Sequence, residues 1–261
     1  MLVCAIALLL IAVLVVMFHF SRATLREEAM HDAQHTLEST SVHIDNILLS
    51  VELTAGNFYY DLMRHIHEAD HMEDLCRELV LSNRYIVGCA IAFKPYHFPG
   101  RENCMTYVRR KIEGGNWLVD NYDTLEVLNS FLGQPYTEQV WYTQPMETNH
   151  ASWMEPIKNS TPNEALITFS LPIYDFRGTS FEKREKLEPI GVMGVDVPLA
   201  RLSDFLLRTK PSANGYSVLL GSDGKFIVHP DANKLLNETV FTQTEHGADP
   251  SVLEVANAMV A

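Results

Sequence analysis

The stretch HEADH, residues 67 to 71, has the HExxH spacing that binds zinc in many metalloproteases. On a helix, His67 and His71 would share one face, and Glu68 would lie beside the metal as a general base. The segment that follows lacks the glycine and third histidine of the metzincin pattern, and its charges are typical of a solvated helix face. A membrane-tethered zinc hydrolase using these residues is therefore only the alternative hypothesis, and we predict no metal site.

A second candidate site is aromatic. The stretch WYTQPMETNHASWMEP, residues 141 to 156, holds Trp141 and Trp153, two of the three tryptophans of the chain. Its turn-forming residues disfavour one long helix. The stretch is either a core plug that holds irregular backbone in place or the aromatic wall of a small-molecule pocket, since π faces attract cations.

Composition excludes several classes of function. The net charge of −13 in 261 residues argues against binding to nucleic acid, which needs a basic surface. Four cysteines, at positions 4, 76, 89 and 104, show no CxxC spacing, so the sequence predicts neither a disulfide framework nor a zinc knuckle. It contains no phosphate loop, dinucleotide fingerprint or Ser-His-Asp order. We therefore predict no cofactor and no catalysis by this chain.

The first 18 residues contain no polar side chain, and residues 1–20 are long enough to cross the hydrocarbon core of a bilayer. A cleaved signal peptide would have a basic start and a shorter apolar core. We therefore predict a retained transmembrane helix. Arg22 and Arg26 follow it, and the positive-inside rule alone would keep that side in the cytoplasm.

Residues 21–83 are predicted to form a long helical stalk. Apolar residues recur there at three- and four-residue steps; they are Leu37, Ile44, Leu48, Val51, Ala55 and Phe58. Such a helix packs on its own domain or on a second copy, so we predict a homodimer through the stalk. Gly56 and Asn57 are candidate positions for a kink.

The sequence then changes to strand patterns at residues 85–95, 105–112, 165–175 and 189–199, with loop-rich sequence from 114 to 162. An amphipathic helix at 200–210 closes this unit. After Pro211 a hairpin with Asp223-Gly224 at its turn, followed by one helix, begins a second unit. A hairpin and a helix cannot bury a core alone, so we expect the chain to be cut within this unit.

In this order the elements resemble the extracytoplasmic double Cache sensor region of bacterial transmembrane receptors. The matching stretches are WYTQPMETNHASWMEP, ITFSLPIYD, GVMGVDVPLARL and GYSVLLGSDGKFIVHPD. The resemblance implies an α+β fold, in which a transmembrane and stalk helix precedes a PAS-like antiparallel sheet and then a smaller one. The implied domains are the membrane span (1–20), the stalk (21–83), a membrane-distal Cache domain (84–208) and an incomplete membrane-proximal Cache domain (209–261).

The resemblance also assigns roles to single residues. Amino-acid sensors of this family carry an Arg-x-Trp-Tyr motif, whose arginine binds the ligand carboxylate, and a later aspartate that binds the ligand amine. Trp141, Tyr142 and Asp196 match, whereas Gln139 holds the place of the arginine and cannot supply its charge. Trp153 is a further candidate contact. We therefore predict an amine or another polar metabolite as the ligand, the alternative being that Asp196 is satisfied by a network within the protein.

By the same resemblance the chain is the sensor of a signal-transduction receptor in the inner membrane, with residues 21–261 extracytoplasmic. Ligand binding in the distal pocket would be relayed through helices to a cytoplasmic output module beyond this chain. A PP2C-type serine phosphatase, a histidine kinase, a diguanylate cyclase or a chemoreceptor module would each be compatible with such a sensor, and the sequence does not choose among them.

Overall fold

The structure is a computed structural model. The parts of the chain that it describes are residues 2–111, 124–128, 134–157, 165–177, 187–212, 215–231, 233–242 and 250–260.

A single helix, α1 (Leu2–Arg64), begins the chain and has a length of about 95 Å at 1.5 Å per residue. It contains no proline and continues as one helix through Gly56 and Asn57, and the suggested kink there stays a prediction. Farther along, the side chains of Ile44, Val51 and Ala55 are buried in the main hydrophobic core. Much of the predicted apolar stripe of the stalk thus packs against its own domain.

A short 3₁₀ helix and α2 (Met72–Ser82) follow α1. Helix α2 buries one face against α1 and the first two strands. Its carboxyl end is tied to α1 by Asn83, whose Nδ2 donates hydrogen bonds to Ser50 Oγ and to Thr54 Oγ1, each at 3.0 Å. These bonds fix the position of α1 relative to the sheet.

Six strands form one antiparallel sheet in the order β3-β2-β1-β6-β5-β4. The strands are β1 (Gly88–Phe93), β2 (Cys104–Arg110), β3 (Leu125–Leu128), β4 (Ser152–Ile157), β5 (Leu166–Ile173) and β6 (Gly191–Pro198). All eight residues of β6 are buried, because the strand lies in the middle of the sheet between β1 and β5. Strands β3 and β4, and helix α3 (Val140–Thr148) between them, fall in sequence that we interpreted as loop, so that interpretation was wrong for these segments.

The two faces of the sheet have different coverings. One face packs against α1 and α2 and forms the main core, which includes Cys89, Ile91 and Val195. Helix α3 packs on β5 and β6, and its Trp141 and Tyr142 belong to a second, separate core cluster. We call this second surface the α3 face of the sheet.

After β6, helix α4 (Leu199–Arg208) leads to a small two-stranded sheet of β7 (Leu219–Leu220) and β8 (Phe226–Val228). Gly224 in the predicted turn has a φ of +77°, a conformation that glycine adopts without strain. Helix α5 (Pro250–Val260) is the last described element. The predicted fold class, helices with a large and a small antiparallel sheet, is confirmed, whereas the four domain boundaries stay a prediction.

Candidate functional site

Asp196 lies in the middle of β6 with its side chain on the α3 face and is only 2% exposed. Two hydroxyl groups from neighbouring strands donate hydrogen bonds to it. The Tyr107 hydroxyl reaches Oδ2 at 2.8 Å, and the Thr168 hydroxyl reaches Oδ1 at 2.6 Å. Since a carboxylate has about four acceptor positions, these bonds leave capacity for a further donor.

Electrostatics make Asp196 unusual. Burial raises the pKa of its carboxyl, and the bonds from Thr168 and Tyr107 and the charge of Arg109 oppose that shift only in part. No lysine, arginine or histidine of the described residues forms an ion pair with it, and Arg109 is paired with Glu126 instead. A buried carboxylate without a cationic partner is costly, and a bound cation would lower that cost.

Trp141 packs directly on the strand beside this carboxylate. A Cβ added at Gly194 would lie 3.1 Å from Trp141 Cε3, so the glycine is what allows the indole to approach the sheet. The indole Nε1 donates a hydrogen bond to Gln139 Oε1 at 2.8 Å, and Gln139 Nε2 donates one to the Gln134 carbonyl at 3.1 Å. Gln139 therefore holds the indole in place, with both ends of its amide engaged.

Three buried hydroxyl groups near Trp141 have no hydrogen-bond partner among the described residues: Tyr142 Oη, Ser152 Oγ and Ser170 Oγ. Ser170 lies opposite Gly194 on β6 and opposite Ser152 on β4. Burial raises the pKa of Tyr142, so its phenol stays protonated and able to donate. Unpaired buried hydroxyls are rare in folded proteins, and these three can each donate a hydrogen bond to a water or to a ligand.

The structure brings together four of the five predicted site residues: Trp141, Tyr142, Asp196 and Gln139. It does not bring Trp153 to them. Trp153 pairs with Phe169 across β4 and β5, on the opposite face of the sheet, and its Nε1 donates to Glu52 of α1 at 2.7 Å. We therefore leave Trp153 out of the candidate site.

Sequence reasoning missed Tyr107, Thr168 and Ser170. The sequence does mark two of these residues, because Thr168 and Ser170 are polar residues two positions apart in an otherwise apolar strand, as Asp196 is in β6. Tyr107 and Thr168 meet Asp196 only through the pairing of β2, β1, β6 and β5. Gly88, which faces Asp196 from β1, has no Cβ that would clash with the Tyr107–Asp196 bond.

The HEADH stretch does not form a helical zinc site. Helix α1 ends at Arg64, and only the short Ala69–His71 segment is helical within the motif. His67 Nε2 contacts Asp175 at 3.3 Å, whereas the His71 ring lies 4.2 Å from that of His65. No group of three or more ligand-type side chains among the described residues could hold a metal ion. The zinc hydrolase alternative is unsupported.

A cavity of about 460 Å³ lies elsewhere in the described structure, between α1, α4 and the β7–β8 hairpin. Its walls are mainly apolar and include Ile44, Leu48, Leu202 and Ile227. The cavity contains none of the unpaired hydroxyls of the α3 face, and Asp196 is remote from it on the other face of the sheet. The cavity is therefore a separate, apolar space and not part of the candidate site around Asp196.

A six-stranded antiparallel sheet with a long amino-terminal helix on one face and the candidate site on the other has the architecture of a PAS-like domain. The family model described as the methyl-accepting chemotaxis protein-like, first PDC sensor domain matches residues 72–204, half of the chain. The chain belongs to this family. The predicted resemblance to receptor sensor regions is thus confirmed.

Three comparisons show the range of its relatives. The methyl-accepting chemotaxis protein PctB of Pseudomonas aeruginosa is 23% identical over 240 residues, which cover 88% of this chain and about a third (32%) of that receptor. The extracellular domain of the histidine kinase mmHK1S-Z3 has a TM-score of 0.62 at 15% identity, covering 90% of this chain and 80% of that domain. The ligand-binding domain of the Pseudomonas aeruginosa chemoreceptor PctC, in complex with GABA, has a TM-score of 0.54 at 19% identity, covering 80% and 78%. At these identities the likeness to solved structures shows a common fold.

Helix α1 also contains the one candidate membrane span of the described residues, close to the amino terminus and judged by length and composition. With the receptor family, it indicates a membrane-anchored protein whose sensor domain is extracellular.

Proposed function

We propose that this chain senses a small molecule that carries an ammonium group, and that the ligand binds on the α3 face of the sheet. The observation that carries the proposal is Asp196, a buried carboxylate with two hydroxyl donors and no ion-paired base among the described residues. A ligand ammonium at this position would neutralise its charge and use its remaining acceptor positions.

The other wall of the site supports the same class of ligand. The Trp141 indole, held by Gln139, is a buried aromatic ring on the same face of the sheet, and such a ring attracts a cation that reaches its π face. The unpaired hydroxyls of Tyr142, Ser152 and Ser170 can bind the polar remainder of the molecule. Because the Gln139 amide is already engaged, no arginine-like clamp exists at that position for a carboxylate. An amine with a neutral polar group therefore fits better than an amino acid bound in the family's usual way.

The relatives support an ammonium-bearing ligand without fixing its other groups, since the solved PctC domain is in complex with GABA, which carries a carboxylate as well as an ammonium group. The family and the chemoreceptor relative favour a chemoreceptor output, and the kinase neighbour favours a histidine kinase. We propose that the receptor is in the inner membrane, with its sensor on the outer side, and that it drives one of these two modules.

Signalling would require the ligand to favour one arrangement of the helices over another. An exposed apolar stripe on α1 is suited to pairing with a second copy; it consists of Val42, Leu49, Leu53 and Tyr60, at steps of seven, four and seven residues. A charge at Leu53, which is 61% exposed, would then abolish the dimer without disturbing the core. Cross-linking of the Leu53→Glu protein tests this, and an undiminished dimer would contradict pairing through the stripe.

The proposed function is tested by a thermal-shift screen of the full chain in detergent micelles. The panel should contain putrescine, ethanolamine, GABA, L-serine, acetate and glucose, so that amine, carboxylate and hydroxyl are varied separately. We expect the amines to raise the melting temperature, because a ligand that binds only the folded state stabilises it. Stabilisation by acetate or glucose alone would contradict an ammonium-binding site.

A further inference from the structure

Trp153, the sequence-predicted site residue that lies away from Asp196, lines the apolar cavity between α1, α4 and the β7–β8 hairpin. Its indole is held from two sides. Nε1 donates a hydrogen bond to Glu52 of α1 at 2.7 Å, and the ring packs on Phe169 with the two ring centroids 5.2 Å apart. The cavity therefore has an aromatic wall whose position is set by the domain itself.

The cavity has the size and composition of a small-molecule site. Its volume of about 460 Å³ falls within the range of about 300 to 1,000 Å³ that is usual for ligand pockets, which are mostly apolar and often lie where structural units meet. Its apolar walls include Leu48 of α1, Leu202 of α4 and Ile227 of β8. A molecule with an apolar body would bury its surface there, and burial of apolar surface is the main favourable contribution to such binding.

The polar groups of the cavity wall are mainly hydrogen-bond acceptors. The Thr40 hydroxyl donates to a backbone carbonyl one turn earlier in α1 at 2.7 Å, so its oxygen is left to accept. Asp45 and Glu155 are the charged residues of the described wall, and both are carboxylates. Lys225 lies on the same hairpin, but its ammonium pairs with Asp223 and the residue is not part of the wall. The ligand must therefore supply hydrogen-bond donors, and a negative charge on it would be repelled.

We propose that this cavity binds a small, uncharged aromatic molecule that carries an N–H or O–H group, of the indole or phenol class. The ring of the ligand packs against Trp153 and the leucine side chains, since aromatic rings favour offset and edge contacts with one another. Its donor group reaches the acceptors of Thr40, Asp45 or Glu155. This site goes beyond the proposed sensing of an amine and does not depend on it, because the two sites lie on opposite faces of the sheet.

A molecule in this cavity contacts the stalk helix and the small sheet at the same time. Helix α4, which joins the two sheets, already meets α1 there through the stacked rings of His43 and Phe205, whose centroids are 3.8 Å apart. A ligand that fits one arrangement of α1, α4 and the hairpin better than another stabilises that arrangement. The cavity is thus a second input to the receptor, placed on the path between the large sheet and the elements that follow it.

The test is isothermal titration calorimetry of the full chain in detergent micelles with two probes, indole and indole-3-acetate, which differ by a carboxylate group. Leu48→Trp fills the cavity from α1, and Asn46→Trp is the matched control at an exposed α1 position outside the wall. Because micelles take up indole equally in every sample, differences between the proteins report on the cavity. We expect the native and Asn46→Trp proteins to bind indole alike and the Leu48→Trp protein to bind it at least about tenfold more weakly.

The second probe tests the charge of the wall. We expect the native protein to bind indole-3-acetate at least about tenfold more weakly than indole, because its carboxylate meets Asp45 and Glu155. Asp45 is exposed, so an Asp45→Lys protein should fold normally and should bind indole-3-acetate about threefold to tenfold more tightly than the native protein does. This variant keeps the test decisive if Leu48→Trp does not fold.

Hydrogen–deuterium exchange then locates the bound indole. We expect slower exchange in α4 and in the β7–β8 hairpin, with α3 unchanged. The proposal would be overturned if the native protein does not bind indole, if a folded Leu48→Trp protein binds it as tightly as the native protein, or if the protection lies in α3. Indole-3-acetate that binds as tightly as indole, or that gains nothing from Asp45→Lys, would also overturn it.

Discussion

Replacing Asp196 with asparagine separates binding from folding at the candidate site. The two side chains have nearly the same shape, and the amide can still accept a hydrogen bond from the Thr168 or Tyr107 hydroxyl. What is lost is the negative charge that the proposed ammonium ligand requires. Because burial already opposes ionisation of Asp196, removing the charge relieves a cost in the free protein. We therefore expect the melting temperature of the unliganded variant to stay close to the native value.

The expected loss of affinity is large. Truncating one partner of a buried, hydrogen-bonded charge pair costs about 2 to 5 kcal/mol, which corresponds to roughly 30-fold to several thousand-fold weaker binding. Isothermal titration calorimetry of the native and Asp196→Asn proteins with the best amine of the panel measures this loss. Asp61→Asn is a matched control, because Asp61 is exposed and pairs with Arg64 at the surface of α1. We expect that control to bind like the native protein.

The reasoning would be refuted by a folded Asp196→Asn protein that binds the amine within about threefold of the native affinity. An intact fold is shown by an unchanged melting temperature without ligand. In that case the two hydroxyl bonds of Asp196 would satisfy it fully, and the carboxylate would have only a structural role.

Three further changes probe the same site. Gly194→Ala should lower the free energy of unfolding by about 1 to 3 kcal/mol and weaken amine binding, because the new Cβ would lie 3.1 Å from the Trp141 ring and 3.4 Å from Thr168 Cγ2. An unchanged melting temperature would contradict the close packing of Trp141 on Gly194. Tyr142→Phe removes an unpaired buried hydroxyl, so the free protein should be as stable as the native protein or more stable, while calorimetry should show weaker amine binding. A clear loss of stability would show that the Tyr142 hydroxyl has a hydrogen-bond partner in the free protein. The affinity for the amine should fall as the pH is lowered from 8, because protonation of Asp196 removes the negative charge. Since the pKa of Asp196 is raised, the fall should begin at a higher pH than for an aspartate of ordinary pKa, about 4. An affinity that does not change with pH would contradict a role of the Asp196 carboxylate in binding.

The raised pKa of Asp196 has the opposite effect on the free protein. Between the unfolded and folded pKa values the native state binds more protons than the unfolded state, so this group lowers stability as pH rises through that window. Protonation at lower pH therefore stabilises the fold while it removes ligand binding. Thermal melts with and without the amine would show the two trends diverging.

The sequence predicted the elements whose patterns are strong and local. Helix α1 lacks proline and keeps an apolar stripe for many turns, and β6 is apolar along its whole length except at Asp196. Helix α3 escaped prediction because it is only nine residues long and contains Pro145, so its stability comes from packing on β5 and β6 rather than from its own residues.

The site was predictable only in part, for a related reason. Asp196 was assigned because it matches the ligand-binding aspartate of the family motif, and it stands out as the one carboxylate in an apolar strand. Its donors could not be found, because Tyr107 and Thr168 are 89 and 28 residues away and reach it only through strand pairing. Trp153 was assigned to the site by its nearness to Trp141 in sequence, yet the register of β4 turns it to the opposite face.

The location of the ligand can be measured directly by hydrogen–deuterium exchange on the full chain, with and without the best amine of the panel. The account predicts slower exchange in α3 (Val140–Thr148) and in the parts of β5 and β6 around Thr168 and Asp196, with little change in α4 and the β7–β8 hairpin. Protection confined to α4 and that hairpin would place the ligand in the apolar cavity and contradict binding at Asp196.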